Sequence, residues 1–252
     1  MKKLTALILA ALLSTAAVGA TNLTPSAPVP VATTSSQKEM PSLFTKGSAF
    51  LTDPISLPES NYVPYSPDLS QLPETEKLPD TMQQLLHKFP MGQLQKQQDG
   101  FYATAMVYHW SYPVPAKGEA DPLRNLFSDK KSADASLSSF NQMLTLAEPF
   151  GNALIKSYIS SMNQKNKNPV PEGIFSFSLR NTTPAASFNK KGYTFGTRII
   201  TKADGWTLPF YMKSYVWKKG NTYYVLAALC ADSEWDMLDS DMDALAEKAM
   251  KR

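Results

Sequence analysis

Cys230 and His109 are the residues of this chain best suited to nucleophilic catalysis, yet their surroundings indicate a structural role. The chain contains one cysteine and two histidines. Cys230 lies in the apolar run 223–231, where a buried, un-ionised thiol behaves as a small hydrophobic group. His109 stands between two aromatic residues in another apolar run, which is typical of a core imidazole. Nothing in the sequence places the two side chains together, and nucleophile–base catalysis requires that contact.

The acidic run from Asp239 to Asp243 invites comparison with a calcium-binding loop. Such a loop needs glycine at its sixth position and glutamate at its twelfth, and this chain has Ala244 and Met250 there. A helix with acidic residues in its first turns accounts for the same residues, so we expect no metal site. The chain also lacks the G-x-S-x-G, H-E-x-x-H and glycine-rich phosphate-binding motifs. We expect no cofactor.

An aromatic hairpin near the C-terminus is the best candidate for a binding surface. Residues 206–217 and 222–231 predict two strands joined across Lys218-Lys219-Gly220-Asn221. If the loop has an even number of residues, one face of the hairpin is core, made of Trp206, Leu208, Phe210, Met212 and Val216 with Tyr223, Val225, Ala227 and Leu229. The candidate ligand-binding residues on the other face are Tyr211, Lys213, Tyr215, Trp217 and Tyr224. Two interpretations stay open: a helix covers this second face too, or the face is a shallow binding surface.

The end of this hairpin and the segment after it resemble a known family. The chain passes from Tyr223-Tyr224-Val225-Leu226 through a short polar link into Trp235-Asp236-Met237-Leu238. This pattern resembles the C-terminal part of PsbP-like domains. Those domains are non-enzymatic α/β/α sandwiches with an antiparallel sheet, found in photosystem subunits and in exported bacterial proteins. The resemblance implies such a fold and assigns no functional residue.

The first twenty residues are typical of a bacterial secretory signal peptide. Lys2 and Lys3 precede the apolar stretch Leu4–Leu13, and small residues lead to Val18-Gly19-Ala20. The apolar stretch is shorter than the ~20 residues that a transmembrane helix needs. We therefore expect a signal peptide over residues 1–20 that is cut after Ala20. A periplasmic or secreted protein without a transmembrane segment would result.

Residues 21–80 differ in composition from the rest of the chain. They hold ten of the 19 prolines, with clusters of Ser and Thr between them. Proline removes backbone donors and biases the preceding residue away from helix, and the apolar residues are too sparse to offset the entropy of ordering. We predict a mostly disordered, Pro-rich tether. For its more apolar part, residues 57–78, two alternatives stay open: it is free in solution, or it packs on the domain surface.

Residues 81–252 predict one α+β domain with a mainly antiparallel sheet flanked by helices. Helical spacing marks 81–89, 137–147 and 154–162, and Pro149 ends or kinks the middle helix. Besides the hairpin, strands are predicted at 101–110, 175–180 and 193–200. A final helix begins at about Ser233, which stands three residues before Asp236 as in a capping box.

The charge of the chain argues against nucleic acid as a partner. The formal net charge is +3, and two of those charges belong to Lys2 and Lys3. Basic residues form only pairs, and solvated turns are the ordinary explanation for Lys130-Lys131, Lys190-Lys191 and Lys218-Lys219. We expect an exported envelope protein that is a non-catalytic module for binding an envelope protein or a small ligand. The alternative is a secreted hydrolase whose site forms no recognisable motif.

Overall fold

Among the residues that the structure describes, eight strands form one antiparallel sheet, and a long helix packs against each of its sides. The computed structural model describes residues 50–65, 91–118, 121, 123–164, 169, 171, 173–203 and 205–252. The predicted signal peptide, most of the predicted tether and the predicted helix at 81–89 lie outside these ranges. The predicted α+β class, with a mainly antiparallel sheet and flanking helices, is confirmed.

The last strand of the chain lies in the middle of the sheet. The strands are β1 (Ile55–Leu57), β2 (Ser60–Tyr65), β3 (Met91–Gln98), β4 (Phe101–Pro113), β5 (Phe175–Phe188), β6 (Gly192–Ala203), β7 (Trp206–Lys219) and β8 (Thr222–Ala231). The described helices are α1 (Lys130–Asn163) and α2 (Trp235–Lys251), with 3₁₀ turns at Asn125–Phe127 and Asp232–Glu234. The spatial order is β1-β2-β3-β4-β8-β7-β6-β5, and all neighbours are antiparallel. Side chains of β4 and β8 are therefore buried on both faces, as their continuous apolar runs predict.

The β7–β8 hairpin has the register that the sequence predicts. Gly220 and Asn221 form a two-residue loop, and Gly220 takes the positive φ of 59° that such a loop needs. The candidate binding residues and the predicted core set consequently lie on opposite faces of the sheet. Trp206 differs from the prediction of a core position, because it is 72% exposed. The reason is that β7 pairs with β8 only from Phe210 onward, so Trp206 extends past the end of its neighbour.

Helix α2 covers one face of the sheet with a regular apolar stripe. Its buried apolar side chains are Leu238, Met242, Leu245, Ala246, Ala249 and Met250. They recur every three or four residues, which is the spacing of one helix face. They share a core cluster with inward residues of β3, β4, β7 and β8, and with Leu51 just before β1.

The start of α2 differs from the predicted capping box. A 3₁₀ turn precedes the helix, and Glu234, rather than Ser233, is the residue at its N-cap. No side chain caps the helix there, because the Glu234 carboxylate accepts a hydrogen bond of 2.8 Å from the Thr104 backbone N–H instead. That bond ties the start of α2 to the start of β4.

Helix α1 protects the outer edge of the sheet. It continues unbroken through Pro149, so the two predicted helical segments are one helix. Side chains of α1 satisfy outward backbone groups of β5: the Asn152 amide donates to the Phe177 carbonyl and accepts from the Phe177 N–H, Glu148 accepts from the Leu179 N–H, and Asn141 accepts from the Ala185 N–H. An unpaired edge strand is a template for association with another strand. Because these three side chains hydrogen-bond the outward backbone groups of β5, those groups are not available to another strand.

Two strands come from the segment that was predicted to be a tether. Residues 55–57 and 60–65 form β1 and β2, and β2 pairs with β3 along its full length. Leu51 and Tyr62 have no exposed surface. The predicted domain start at residue 81 is therefore too late. Pro64 is tolerated within β2. The tether prediction rested on the spacing of the prolines, which does not reveal the apolar positions between them.

Candidate functional site

The predicted binding face is assembled as expected, but α2 covers it. Tyr215 and Trp217 are 1% and 2% exposed, and Tyr211 is also buried. The Tyr211 ring stacks on Trp235 of α2 with centroids 3.6 Å apart. Of the two interpretations, the structure supports the covering helix. Tyr211, Lys213, Tyr215, Trp217 and Tyr224 therefore do not form an open ligand surface.

Lys213 is the polar centre of this buried face. Its Nζ lies 2.6 Å from an Asp239 carboxylate oxygen and 2.7 Å from one of Asp243. Burial alone would lower the pKa of Lys213, but the hydrogen bonds to both carboxylates outweigh it and raise the pKa above its ordinary value. The Tyr215 hydroxyl donates to Asp243 over 2.6 Å, and burial followed by the Asp243 charge raises the pKa of Tyr215. These groups hold α2 on the sheet and are occupied with one another.

The acidic run in α2 faces the cations of the sheet. Asp239 and Asp243 are four residues apart, so they lie on the same side of the helix. Asp241 pairs with Lys96 of β3 instead, at 2.6 Å. These pairings explain the run without a metal. Within the described ranges, no three His, Cys, Asp or Glu side chains are grouped so that they could hold a metal ion.

Phe50 seals the remaining end of the aromatic face. Its ring makes edge-to-face contacts with His109, Trp217 and Tyr224, with centroid distances of 4.9, 5.6 and 5.2 Å. Trp217 and Tyr224 stack on each other at 5.5 Å. Edge-to-face and offset geometries are the favourable ones for aromatic rings. The cluster is therefore packed core, and residues from before β1 complete it.

Cys230 and His109 do not form a catalytic pair. Cys230 pairs with Ala105, which is four residues before His109 and hence about 13 Å away along β4. Burial, followed by the nearby acidic charges, raises the pKa of the Cys230 thiol to about 12. Burial lowers the pKa of His109 to about 4, and neither ring nitrogen has a partner among the described residues. Both side chains are core groups, as predicted.

A cleft of about 380 Å³ lies between α1 and β5. Its lining residues are Asn141, Leu144, Thr145, Glu148, Leu179, Thr182 and Pro184. Glu148 is the one carboxylate in that lining, and it already accepts from the Leu179 N–H and approaches Arg180 at 3.5 Å. A hydrolase that uses a general acid and a base needs a second group beside it. The cleft gives the predicted hydrolase alternative no such pair.

Three exposed aromatic residues were not identified as site residues from the sequence. Phe101, Tyr102 and Trp206 are 70%, 58% and 72% exposed. They lie at the same end of the sheet, because β4 and β7 both extend past the end of β8, which separates them. Two strand spacings put the backbones of β4 and β7 about 10 Å apart. We call these three residues the aromatic end.

A local sequence signal for the aromatic end does exist. Phe101 and Trp206 each follow a glycine with positive φ, Gly100 and Gly205, at the first residue of a strand. A bulky residue directly after a turn lies at the margin of the sheet, where neighbours are fewest. Tyr102 and Trp206 occupy the face that α1 packs on, and Phe101 occupies the opposite face.

Comparison with known proteins adds little to this geometry. No protein-family model and no curated protein matches the chain. A solved structure that is similar is cyanobacterial PsbP (CyanoP) from Synechocystis sp. PCC 6803, with 10% sequence identity over 63% of this chain and 84% of that chain, and a TM-score of 0.29. PsbP is also the family that the C-terminal hairpin and helix resemble in sequence. At this TM-score the likeness carries no argument about what the chain does.

No helix in the part of the chain that the structure describes combines the length and the apolar character needed to cross a bilayer.

Proposed function

We propose that this domain is a non-catalytic binding module of the bacterial envelope, and that it holds a protein partner at the aromatic end. The observation that carries the proposal is the exposure of Phe101, Tyr102 and Trp206 together at one end of the sheet. Exposed Trp and Tyr are the residues that most often anchor protein interfaces. Their rings bring a large apolar area at little cost in conformational entropy.

The surroundings of the aromatic end suit a protein partner. Asp99, Glu59 and Lys202 are exposed at the same end of the sheet, so polar side chains surround the aromatic rings. A central apolar anchor with a polar rim is the usual anatomy of an interface. The other aromatic face, around Trp217, is filled by α2 and is not accessible to a partner.

Export is the second part of the proposal. Its support is the basic, apolar and small-residue order of residues 1–20, which predicts cleavage after Ala20. Mass spectrometry of the envelope or culture fraction should find a chain that begins at Thr21. A protein retained with residues 1–20 intact would contradict the signal-peptide assignment.

Site-specific photocrosslinking in producing cells tests the binding surface. Tyr102 or Trp206 is replaced by a photoreactive phenylalanine analogue, and Leu146 on α1, which is 56% exposed, is the matched control position. We expect a discrete heavier adduct from positions 102 and 206 and none from position 146. The proposal fails if positions 102 and 206 give no adduct, or if all three positions give the same products.

A truncation variant adds a quantitative test. Trp206→Ala should abolish the adduct from position 102, since loss of a central anchor costs about 2 kcal/mol or more of binding free energy. The same change should leave the melting midpoint nearly unaltered, because the ring contributes little packing. An adduct of unchanged intensity would show that the partner does not use Trp206.

A further inference from the structure

The fold brings three lysine pairs to one end of the sheet, opposite the aromatic end: Lys130-Lys131, Lys190-Lys191 and Lys218-Lys219. Lys190 and Lys191 form the β5–β6 turn, and β6 then begins at Gly192, which pairs with Trp217 of β7. Lys218 and Lys219 follow Trp217 directly and are thus next to the first pair. Turns that were separate in the sequence become neighbours because β6 and β7 are adjacent.

The segment between β4 and α1 adds further cations to this end. The Val114 N–H donates to the Asn221 carbonyl in the β7–β8 loop over 2.9 Å. The Tyr193 hydroxyl, near the start of β6, donates to the Leu126 carbonyl over 2.8 Å. These bonds hold the segment and the first turn of α1 beside the turns of the sheet. The exposed cations collected here are Lys117, Arg124, Lys130, Lys131, Lys190, Lys191, Lys218 and Lys219, which we call the basic end.

Few of the described carboxylates compensate this charge. Asp121 approaches Arg124 at 3.5 Å, and Asp129 accepts hydrogen bonds from Ser132 at the start of α1. Asp134 in the next turn of α1 is a further carboxylate near this end, and Asp53 approaches Arg252, just after α2, at 3.9 Å. The opposite end is acidic, with Glu59, Asp99, Asp232, Glu234 and Asp236 against Lys202 and Arg198. The domain therefore has a strong charge separation along its strands although its net charge is small.

We propose that the basic end docks on a membrane surface that carries anionic lipid headgroups. Its cations lie on turns at the end of one sheet, so a flat anionic surface can engage several turns at once. Juxtaposed Lys and Arg residues are attracted to anionic leaflets by such additive contacts. Of the large exposed apolar residues of the described chain, only Tyr65, the last residue of β2, lies toward this end, and three strands separate it from β7. Binding of single-stranded nucleic acid uses several stacking aromatics.

Docking in this way would orient the module. The acidic end, which also carries Phe101, Tyr102 and Trp206, would face away from the bilayer and stay accessible to a partner. The inference goes beyond the proposed function and uses none of the aromatic residues. Trp206→Ala should therefore bind vesicles as the unchanged chain does, so failure of one proposal does not imply failure of the other.

Vesicle co-sedimentation of the full chain tests the docking surface. The vesicles contain phosphatidylglycerol mixed with phosphatidylcholine, and pure phosphatidylcholine reports any binding that is not electrostatic, including insertion by residues 1–20. The test variant is Lys190→Glu/Lys191→Glu, and the control is Lys156→Glu/Lys202→Glu, which makes the same change in net charge at exposed positions elsewhere.

We expect preferential binding to the anionic vesicles that weakens at high salt, since the Debye length falls to ~3 Å at about 1 M. The test variant should lose at least about a hundredfold in partitioning, because two attractive charges become repulsive. The control should lose much less. A circular dichroism spectrum and melting midpoint confirm that each variant is folded.

Three results would overturn the proposal. The first is equal binding to anionic and neutral vesicles. The second is an equal loss in the test and control variants. The third is tight binding to a soluble polyanion such as polyphosphate with no binding to anionic vesicles. If Lys190→Glu/Lys191→Glu does not fold, Lys130→Glu/Lys131→Glu at the start of α1 replaces it with the same expected loss.

Discussion

Lys96 of β3 and Asp241 of α2 form an ion pair of 2.6 Å whose two side chains are only 10% and 8% exposed. The pair joins residues that are 145 positions apart in the chain. Removing one partner from a buried pair leaves an uncompensated charge, which costs more than the pair itself contributes. The pair therefore specifies how α2 sits on the sheet.

Lys96→Met should destabilise the domain by about 3–5 kcal/mol, because Asp241 would stay buried without its cation. The double variant Lys96→Met/Asp241→Leu should recover most of that loss, since no charge is then buried. Urea unfolding monitored by tryptophan fluorescence measures both. Lys202→Met, at an exposed position, is the control and should change stability by about 0.5 kcal/mol at most. A single variant as stable as the double would contradict a buried, coupled pair.

His109 should make the domain acid-sensitive. Its pKa is lowered to about 4 in the folded state by burial, from an unfolded value near 6.5. The unfolded chain therefore binds more protons between these two values. The contribution of neutral, buried His109 to the free energy of unfolding is fully present above about pH 6.5. It is lost as the pH falls toward 4, which lowers that free energy by up to roughly 3 kcal/mol. His109→Leu should flatten the stability profile in this window. A profile as steep as that of the unchanged chain would assign the acid sensitivity to other groups.

Cys230 should be unreactive in the native state. The thiolate is the reactive species, and burial raises the pKa of this thiol to about 12 while the side chain is 3% exposed. We expect slow labelling by a thiol reagent in buffer and rapid labelling in urea, followed by mass spectrometry. Cys230→Ala should cost a modest amount of stability. Fast native labelling would reopen a chemical role for this residue.

The sequence predicted the elements that have strong local periodicity. The β7–β8 register, the face of Tyr215 and Trp217, and the helix after residue 233 follow from alternation, a short glycine loop and helical spacing. The features that the sequence did not predict depend on contacts between segments far apart in the chain. Glu234 is drawn from the helix cap to the Thr104 N–H, and such a pairing leaves no trace in the local pattern.

Whether the candidate binding face is covered also depends on contacts between distant segments. The sequence shows that the second face of the hairpin is aromatic, but it does not show whether a helix covers that face. Coverage depends on where α2 crosses the sheet, and the pairs that Lys96 forms with Asp241 and Lys213 with Asp239 and Asp243 hold the helix there. Trp206 was assigned to the core because alternation treats all positions of a strand alike. Its exposure follows from the unequal lengths of β7 and β8.

A truncated chain should show that the domain begins before residue 81. A chain that starts near Lys77 lacks β1 and β2, and with them Leu51, Ile55 and Tyr62, which are buried in the cluster under α2. Loss of several core side chains costs more than the typical stability of a domain, about 5–15 kcal/mol. We expect this chain to lack a cooperative melting transition. A chain that starts near Lys46 should melt like the full-length protein, and equal midpoints for both would show that β1 and β2 are dispensable.

Trp217 and Trp206 lie on the same strand and offer a matched test of the two aromatic surfaces. Trp217 is 2% exposed, stacks on Tyr224 and contacts Phe50, so Trp217→Ala should destabilise the domain by about 3–5 kcal/mol. Trp206 is 72% exposed, and Trp206→Ala should change stability by about 0.5 kcal/mol or less. Chemical unfolding of both variants, followed by far-ultraviolet circular dichroism so that the lost tryptophan does not alter the signal, measures the difference. Because the same side chain is removed from the same strand, the comparison isolates the effect of burial. If Trp217→Ala is near neutral, the helix does not cover this face in solution, and the binding surface is the candidate set Tyr211, Lys213, Tyr215, Trp217 and Tyr224.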